Sequence, residues 1–446
     1  MVAKKSDFSL VKKALFYVVM LLFVIIILEL FVYGFLRVMV NRYSPSSLIE
    51  TRKSIVADDI TSVVNAPSLE VLHPYLGYVY DPTKNNKGLT SHHGGFSILD
   101  YGFIDDHTPF YKEKKDSIVI GIFGGSVAYL FSAYGVDSLL QQLQSSSFFR
   151  NKDIEIVRVA LGGYKQPQQL MTLTYLLSLG AHFDVVINLD GFNEVALPVV
   201  ENIPNRVAPF FPRNWHGLSS PLMSYETKFL VGELSYLREI RKKCASLVNN
   251  TVLRFSNIMN LMWLVSDKLL ATEISVKQGE LRLATAQSLD NYQRTGPKYT
   301  YEDNLTLYRD LASYWSMSSQ QMAKLCEANK ILYWHFLQPN QYVQNSKTLS
   351  EEERKIAFNM EMIYAKPAEQ GYPALIRAGY ELANSNMQFH DLTNIFKNHP
   401  ESVYEDDCCH LNNNGNEILG DTIGKLMVED IEKHGSYPKN QNLVGK

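Results

Sequence analysis

Short apolar runs rich in β-branched and aromatic residues alternate with stretches of helical periodicity, and this alternation constrains the fold more than any other feature. The apolar runs cover residues 117–123, 154–160, 185–189 and 331–337. The helical patterns between them cover residues 136–144, 167–179 and 302–329. Strands that alternate with helices form a parallel sheet with helices on both faces. We therefore predict an α/β fold with a parallel sheet.

An apolar segment at residues 15–36 is interrupted only by Glu29 and Gly34. About 20 such residues in a helix cross the hydrocarbon core of a bilayer. Four lysines precede the segment, at positions 4, 5, 12 and 13, whereas only Arg37 and Arg42 follow it closely. By the positive-inside rule, the N-terminus lies in the cytoplasm and everything after residue 42 lies outside. Glu29 either contacts a helix partner in the membrane or is a tolerated polar group near its surface.

No small-residue cleavage site follows the apolar segment, because residues 38–42 read Val-Met-Val-Asn-Arg. A cleavable signal peptide would also have a shorter apolar core. We therefore predict an uncleaved, single-pass anchor in the inner or plasma membrane. The rest of the chain is then periplasmic or extracellular.

The composition excludes several classes of protein. The chain has 446 residues, is 46% hydrophobic and has a formal net charge of −3, so it can bury a large core. It has no basic block outside the N-terminus, and we expect no nucleic-acid partner. Four cysteines are too few for a disulfide scaffold.

Histidine and cysteine residues do not recur at ligand spacing, so we predict no metal and no cofactor. Cys408 and Cys409 are adjacent and are expected to pack beside His410, although a disulfide is left open. The paired His92 and His93 are expected to be exposed loop residues.

Changes in composition predict four regions. Residues 1–42 form the cytoplasmic tail and anchor, 43–115 a stalk and lead-in segment, 116–436 the α/β domain, and 437–446 a C-terminal tail. The stalk, to about residue 70, is polar and is expected to be irregular, and a hairpin or loop follows it. The alternation breaks off at about 199–298, where helical patterns surround residues 230–247 and 253–270. We interpret this part as a helical insertion that packs on the core or forms a lid.

Four short motifs follow the predicted strands or lie in the last loop. They read Gly124-Gly125-Ser126-Val127, Gly162-Gly163, Gly191-Phe192-Asn193 and Asp407-Cys408-Cys409-His410. Ligands of open α/β sheets bind outside the carboxyl ends of the strands. The motifs are therefore expected to meet at one edge of the sheet.

Together the motifs offer the parts of a serine hydrolase. A serine hydroxyl attacks an acyl carbon when a base removes its proton and a carboxylate orients that base. Ser126 follows two glycines, and His410 lies three residues after Asp407, with Asp406 as the nearest alternative carboxylate. Asn193 and a backbone N–H of Gly163, or of the adjacent Gly162, could stabilise an oxyanion.

In their residues and order, the motifs resemble the blocks of the SGNH or GDSL hydrolase family. The resemblance implies a flavodoxin-like, three-layer α/β/α domain. It also implies that Ser126 is the nucleophile and first oxyanion donor and that His410 is the base oriented by Asp407. Gly163 and Asn193 would be the other two oxyanion donors. The first block departs from Gly-Asp-Ser-Leu, and Glu194 stands where the family has Asp, and both departures lie outside the expected chemistry.

The predicted function is that of a membrane-anchored, extracytoplasmic serine esterase. Its substrate is expected to be an ester, favoured as O-acetyl, on a cell-envelope or secreted glycan, or a small acyl ester. An O-acyltransferase would use the same residues with a sugar hydroxyl in place of water. A non-catalytic protein that binds or assembles glycans is a further alternative.

Overall fold

The computed structural model describes residues 7–40, 43–57, 69–84, 96–110, 117–219, 225–287, 292–385 and 387–434. His92, His93 and the predicted tail at 437–446 lie outside the described residues. The chain divides into two compact units. The smaller contains Met1–Pro67 and Pro221–Leu289, and the larger contains Ser68–Ser220 and Asp290–Lys446.

The strands in the described part of the larger unit form three sheets. Two antiparallel hairpins come first, β1 (Glu70–His73) with β2 (Gly77–Tyr80) and β3 (Ser97–Ile98) with β4 (Ile104–Asp105). The central sheet contains β5 (Ile118–Gly124), β6 (Ile154–Ala160), β7 (Val185–Asp190), β8 (Leu332–Leu337) and β9 (Phe389–Asp391). All its pairs are parallel, in the order β6-β5-β7-β8-β9. This is the 2-1-3-4-5 order of a flavodoxin-like sheet, and it confirms the predicted fold class.

The α-helices in the described residues are bounded as follows. They are α1 (Asp7–Met39), α2 (Pro45–Ala57), α3 (Ser126–Tyr134), α4 (Val136–Leu143), α5 (Gln168–Ser178), α6 (Phe192–Leu197), α7 (Trp215–Leu218), α8 (Tyr225–Asn249), α9 (Asn257–Gln287), α10 (Tyr292–Thr295), α11 (Asn304–Ala328), α12 (Glu351–Ala357), α13 (Ala365–Asn384) and α14 (Asn413–His434). Four of these, α1, α2, α8 and α9, belong to the smaller unit.

The central sheet is buried on both faces, as β5 illustrates. Side chains alternate across a strand, so Ile120 and Ile122 pack into one apolar cluster and Val119 and Phe123 into another. Helices contribute to both clusters, with α14 in the first and α5 in the second. The larger unit is therefore a three-layer α/β/α domain.

The smaller unit packs around a core of its own, which contains Leu36, Tyr43, Leu48, Val248 and Trp263. Helix α1 contains the stretch Val11–Met39, which is long and apolar enough to cross a membrane by length and composition, with a mean hydropathy of 3.0. The apolar face predicted for the insertion contributes Leu261 and Leu264 to this core.

The prediction that the stalk is irregular is wrong for residues 45–57, which form α2. Arg52 of this helix is fully buried, and it donates from Nε to Asn249 Oδ1 at 2.8 Å and from Nη1 to Asn260 Oδ1 at 2.9 Å. Because these partners lie about 200 positions away, contacts that are distant in sequence favour the helix. Within the part of the chain predicted as an insertion, residues 225–287 belong to the smaller unit, and residues 199–219 and 292–298 belong to the larger one.

A buried ion pair joins β4 to β6. Arg158 Nη1 lies 2.8 Å from Asp105 Oδ1 and 2.9 Å from Asp106 Oδ1, but only 1% of the Asp105 side chain is exposed, against 53% for Asp106. The Arg158 N–H also donates to Asp105 Oδ2 at 2.6 Å. Asp105 is therefore the buried carboxylate of the pair, and its loss leaves Arg158 with the half-exposed Asp106 as its remaining carboxylate.

We expect Asp105→Ala to destabilise the protein by about 3–5 kcal/mol, because the buried guanidinium and the Arg158 N–H both lose their buried acceptor and only the solvent-exposed Asp106 remains. Asp106→Ala is the matched control and should cost about 1 kcal/mol or less, as exposed pairs do. Chemical denaturation of the detergent-solubilised protein measures both. Equal losses in the free energy of unfolding for the two variants would contradict the assignment of Asp105 as the main partner of Arg158.

Candidate active site

Ser126 is positioned by a sharp turn between β5 and α3, of which it is the first residue. Gly124 has a φ of +147°, and a Cβ there would lie 2.1 Å from the Leu189 carbonyl oxygen. A Cβ on Gly125 would lie 2.2 Å from Asn193 Nδ2. Neither position has room for a side chain, so the two glycines allow the turn that presents Ser126 at the carboxyl end of the sheet.

His410 connects Ser126 to a carboxylate. Its Nε2 lies 2.8 Å from Ser126 Oγ, and its Nδ1 lies 2.5 Å from Asp406 Oδ2. The side chains of His410 and Asp406 are 24% and 37% exposed. With the proton on Nδ1, Nε2 accepts the serine hydroxyl, which is the arrangement that general-base catalysis requires.

The prediction that Asp407 orients His410 is wrong in this structure, because the carboxylate that contacts the imidazole ring belongs to Asp406. The loop folds over Asp406, whose Oδ1 accepts the N–H groups of Cys408, Cys409 and His410 at 3.0–3.1 Å. Asp407 is directed elsewhere, and its Oδ2 accepts from Asn359 Nδ2 at 3.2 Å.

The two partners shift each other's pKa. Burial lowers the pKa of His410, but the hydrogen bond to Asp406 and its negative charge outweigh burial and hold this pKa above its ordinary value. Burial raises the pKa of Asp406, yet the bonds from His410 and its charge outweigh it and hold this pKa below the ordinary value. The carboxylate thus stays charged and supports a proton on the imidazole.

Among the predicted oxyanion donors, Asn193 lies beside Gly125, where a Cβ would be 2.2 Å from Asn193 Nδ2 and 3.2 Å from the carbonyl oxygen of Tyr164, the residue after Gly163. Gly163 has a φ of +77° in a turn closed by Tyr164 N–H to Leu161 O at 3.1 Å. Asn193 Nδ2 donates one hydrogen to Tyr164 O at 2.8 Å, which leaves its second N–H for another acceptor. The Ser126 N–H lies in the first turn of α3, where backbone donors have no partner within the helix.

Glu194 is hydrogen-bonded to the backbone on both sides of the Asn193 site. Its Oε2 accepts from Gly191 N–H at 2.8 Å and its Oε1 from Gln166 N–H at 3.0 Å. It therefore connects the Asn193 segment to the segment after Gly163. Burial, followed by the nearby charge of Asp190, raises the pKa of Glu194 to about 8.

Three side chains that the sequence did not indicate form a polar rim beside Gly163. We call Arg213, Glu201 and Tyr364 the rim. Arg213 covers Gly163, since a Cβ on that glycine would lie 1.9 Å from Arg213 Cδ. Glu201 links the three, with Oε2 3.7 Å from Arg213 Nε and Oε1 accepting from the Tyr364 hydroxyl at 3.0 Å. No local motif marks these residues, because Glu201 lies in the π-helical turn after α6, Arg213 in a loop, and Tyr364 just before α13.

Cys408 and Cys409 are both free thiols, with Sγ atoms 3.5 Å apart. With His410 they offer three possible metal ligands within 4.8 Å of one another. Both ring nitrogens of His410 are, however, bonded to Ser126 and Asp406. A metal ion could use His410 only by breaking one of these contacts.

A second set of serine, histidine and aspartate lies in the interior. His335 Nδ1 is 2.7 Å from Ser319 Oγ, and His335 Nε2 is 2.8 Å from Asp190 Oδ1. All three residues are at most 1% exposed. A substrate cannot reach this hydroxyl, so the set is a buried hydrogen-bond network that holds β7, β8 and α11 together.

In fold, the chain is similar to solved structures of two bacterial proteins. One is a lipase/acylhydrolase from Enterococcus faecalis, with a TM-score of 0.30 and 10% identity over 73% of this chain and 99% of that one. The other is a GDSL-like lipase from Bacteroides thetaiotaomicron VPI-5482, with a TM-score of 0.31 and 11% identity over 72% and 91%. These similarities do not bear on the residues of the candidate site. No family model and no curated protein matches the chain.

We expect Asp406→Asn to slow the reaction of Ser126 with a fluorophosphonate by roughly 10²-fold or more, because the imidazole loses its orienting carboxylate. The pH midpoint of this reaction in the wild type should lie above the ordinary pKa of a histidine, since the neutral form of His410 is the base and its pKa is raised. It should fall in Asp406→Asn, in which the raising charge is gone.

Asp407→Asn is the matched control, and its rate and pH midpoint should equal those of the wild type. Labelling rates measured between pH 5 and 9 test both variants. A loss confined to Asp407→Asn would restore Asp407 as the partner of His410.

Proposed function

We propose that the protein is a membrane-anchored serine esterase in which Ser126 is the nucleophile, His410 the base and Asp406 the orienting carboxylate. The observation that carries the proposal is the line of contacts from Ser126 Oγ through His410 to Asp406 at a solvent-accessible edge of the sheet. The constellation of Ser126, Gly163, Asn193 and His410 supports a reaction of the SGNH type.

The reaction proceeds in two steps. Ser126 Oγ attacks the acyl carbon while His410 Nε2 takes the hydroxyl proton, and the oxyanion accepts hydrogen bonds from Ser126 N–H, Gly163 N–H and Asn193 Nδ2. The carbon–oxygen bond to the alcohol breaks as His410 returns the proton to that oxygen. Water then attacks the acyl group on Ser126 and gives a proton to His410, which passes it to the departing Ser126 oxygen.

A glycan ester, favoured as O-acetyl, is the proposed substrate. The rim offers a guanidinium, a carboxylate and a phenol next to Gly163, and such groups hydrogen-bond the hydroxyls of a sugar. The length and hydropathy of α1 support an anchor that would hold the site near envelope polymers outside the cytoplasm. If a sugar hydroxyl replaces water in the second step, the same residues perform O-acyl transfer.

We expect Ser126→Ala to abolish fluorophosphonate labelling and to lower acetate release from O-acetylated polysaccharide by roughly 10³-fold or more. Ser319→Ala is the matched control from the buried set and should keep wild-type labelling. Assays of the detergent-solubilised protein, with and without an oligosaccharide acceptor, separate hydrolysis from acyl transfer. Labelling and acetate release that survive in Ser126→Ala would overturn Ser126 as the nucleophile, whereas no labelling and no acetate release by the wild type would leave the non-catalytic, glycan-binding alternative.

We expect Arg213→Ala to raise the KM for an acetylated oligosaccharide about tenfold, the equivalent of one lost hydrogen bond of about 1.4 kcal/mol. The kcat/KM for a small aryl acetate should stay within about twofold, because that ester has no sugar to contact the rim. Arg309→Ala on α11, 73% exposed, is the control. Equal losses on both substrates would place Arg213 in the acyl-transfer chemistry instead of substrate recognition.

A further inference from the structure

Glu29 of α1 is hydrogen-bonded to the start of α9 within the smaller unit. Its carboxylate accepts the Ser256 hydroxyl and, at 2.5 Å, the Asn257 N–H. Ser256 in turn caps α9, because its Oγ accepts the Met259 N–H at 3.2 Å. These contacts fix the turn that precedes α9 at the level of Glu29 along α1.

That level lies within the apolar part of α1. About 20 residues counted from Leu15 bring a membrane-spanning helix to the far side of the hydrocarbon near Gly34. Glu29 is five residues before Gly34, which corresponds to about 8 Å at the rise of an α-helix. An isolated carboxylate is costly at such a depth, and the cap of α9 supplies the donors that it needs.

The turn itself is apolar and uncovered within the described residues. Residues 252–255 form a short 3-10 helix between α8 and α9. The exposed fractions of its apolar residues are 84% for Val252, 46% for Leu253 and 59% for Phe255. Arg254, the remaining member, lies over the Phe255 ring at 4.8 Å, and its long side chain can extend toward lipid phosphates.

From this juxtaposition we propose that the turn at residues 252–255 inserts into the outer leaflet of the membrane that α1 crosses. Phospholipid surrounds the turn, with acyl chains around Val252, Leu253 and Phe255 and a headgroup phosphate near Arg254. The turn is at the depth of lipid because Glu29 holds it there, and three large apolar groups within four residues gain by leaving water. The inference depends on the proposed anchor, and it gives the α8–α9 hairpin a role in membrane attachment.

Tryptophan quenching by lipid in the full-length protein tests the proposal. Phe255→Trp is reconstituted into phosphatidylcholine vesicles that carry brominated acyl chains, and the signal of the four native tryptophans is subtracted with the wild type. We expect the added emission to fall at least twofold. Tyr236→Trp is the matched control, because Tyr236 is 67% exposed on α8 and about 20 Å from its end at Asn249. It should not be quenched.

Phe23→Trp, in the middle of the apolar segment, distinguishes failure of the turn to insert from failure of α1 to act as an anchor. Quenching of Phe23→Trp without quenching of Phe255→Trp would overturn the insertion of the turn and leave the anchor standing. The absence of quenching at both positions would overturn the anchor as well. Shielding of Phe255→Trp from both brominated lipid and aqueous iodide would show that protein covers the turn, and that too would overturn the proposal.

Discussion

The hydrogen bond between Ser126 and His410 joins residues 284 positions apart, and it depends on a close approach of helices that only glycine permits. A Cβ on Gly420 of α14 would lie 2.0 Å from the carbonyl oxygen of Gly135, the residue between α3 and α4. A Cβ on Gly135 would in turn lie 2.4 Å from the Asn416 oxygen. Since α3 begins at Ser126 and α14 begins three residues after His410, this contact sets the distance between hydroxyl and imidazole.

The described residues include two sets of serine, histidine and aspartate with similar distances, and their surroundings differ. In the set at Ser126, the histidine is partly exposed and its carboxylate lies in a loop of backbone donors. In the set at Ser319, burial leaves no path for a substrate. Geometry is necessary for acyl transfer, but access decides which hydroxyl can perform it.

Sequence patterns predicted the strands β5 to β8 well, because each is a short run rich in β-branched or aromatic residues. Those strand ends also identified Ser126 and Asn193. The pattern failed for β9, which has only three residues, and for α2, whose polar sequence is stabilised by the distant Asn249 and Asn260. Helix α13 contains Pro373, which disfavours helix in local propensity, and it was also missed.

The choice between Asp406 and Asp407 could not be made from spacing, since either carboxylate can reach a histidine three or four residues away. It was decided by the three N–H groups that fold around Asp406 Oδ1. Such a loop conformation leaves no periodic signal in the sequence. The rim could not be predicted from the sequence either, because Glu201, Arg213 and Tyr364 become neighbours only in the folded chain.

In the proposed site, the groups assigned to chemistry are separate from those assigned to substrate selection. Glu194 and Asn193 are buried, and they fix the segments that carry the oxyanion donors through bonds to Gly191, Gln166 and Tyr164. The rim lies beside Gly163, which the side chain of Arg213 covers. A change in the rim can therefore alter which ester is bound without moving the donors. Because the buried layer is shared by every substrate, specificity in such a site is free to change at its surface while the acyl-transfer geometry is retained.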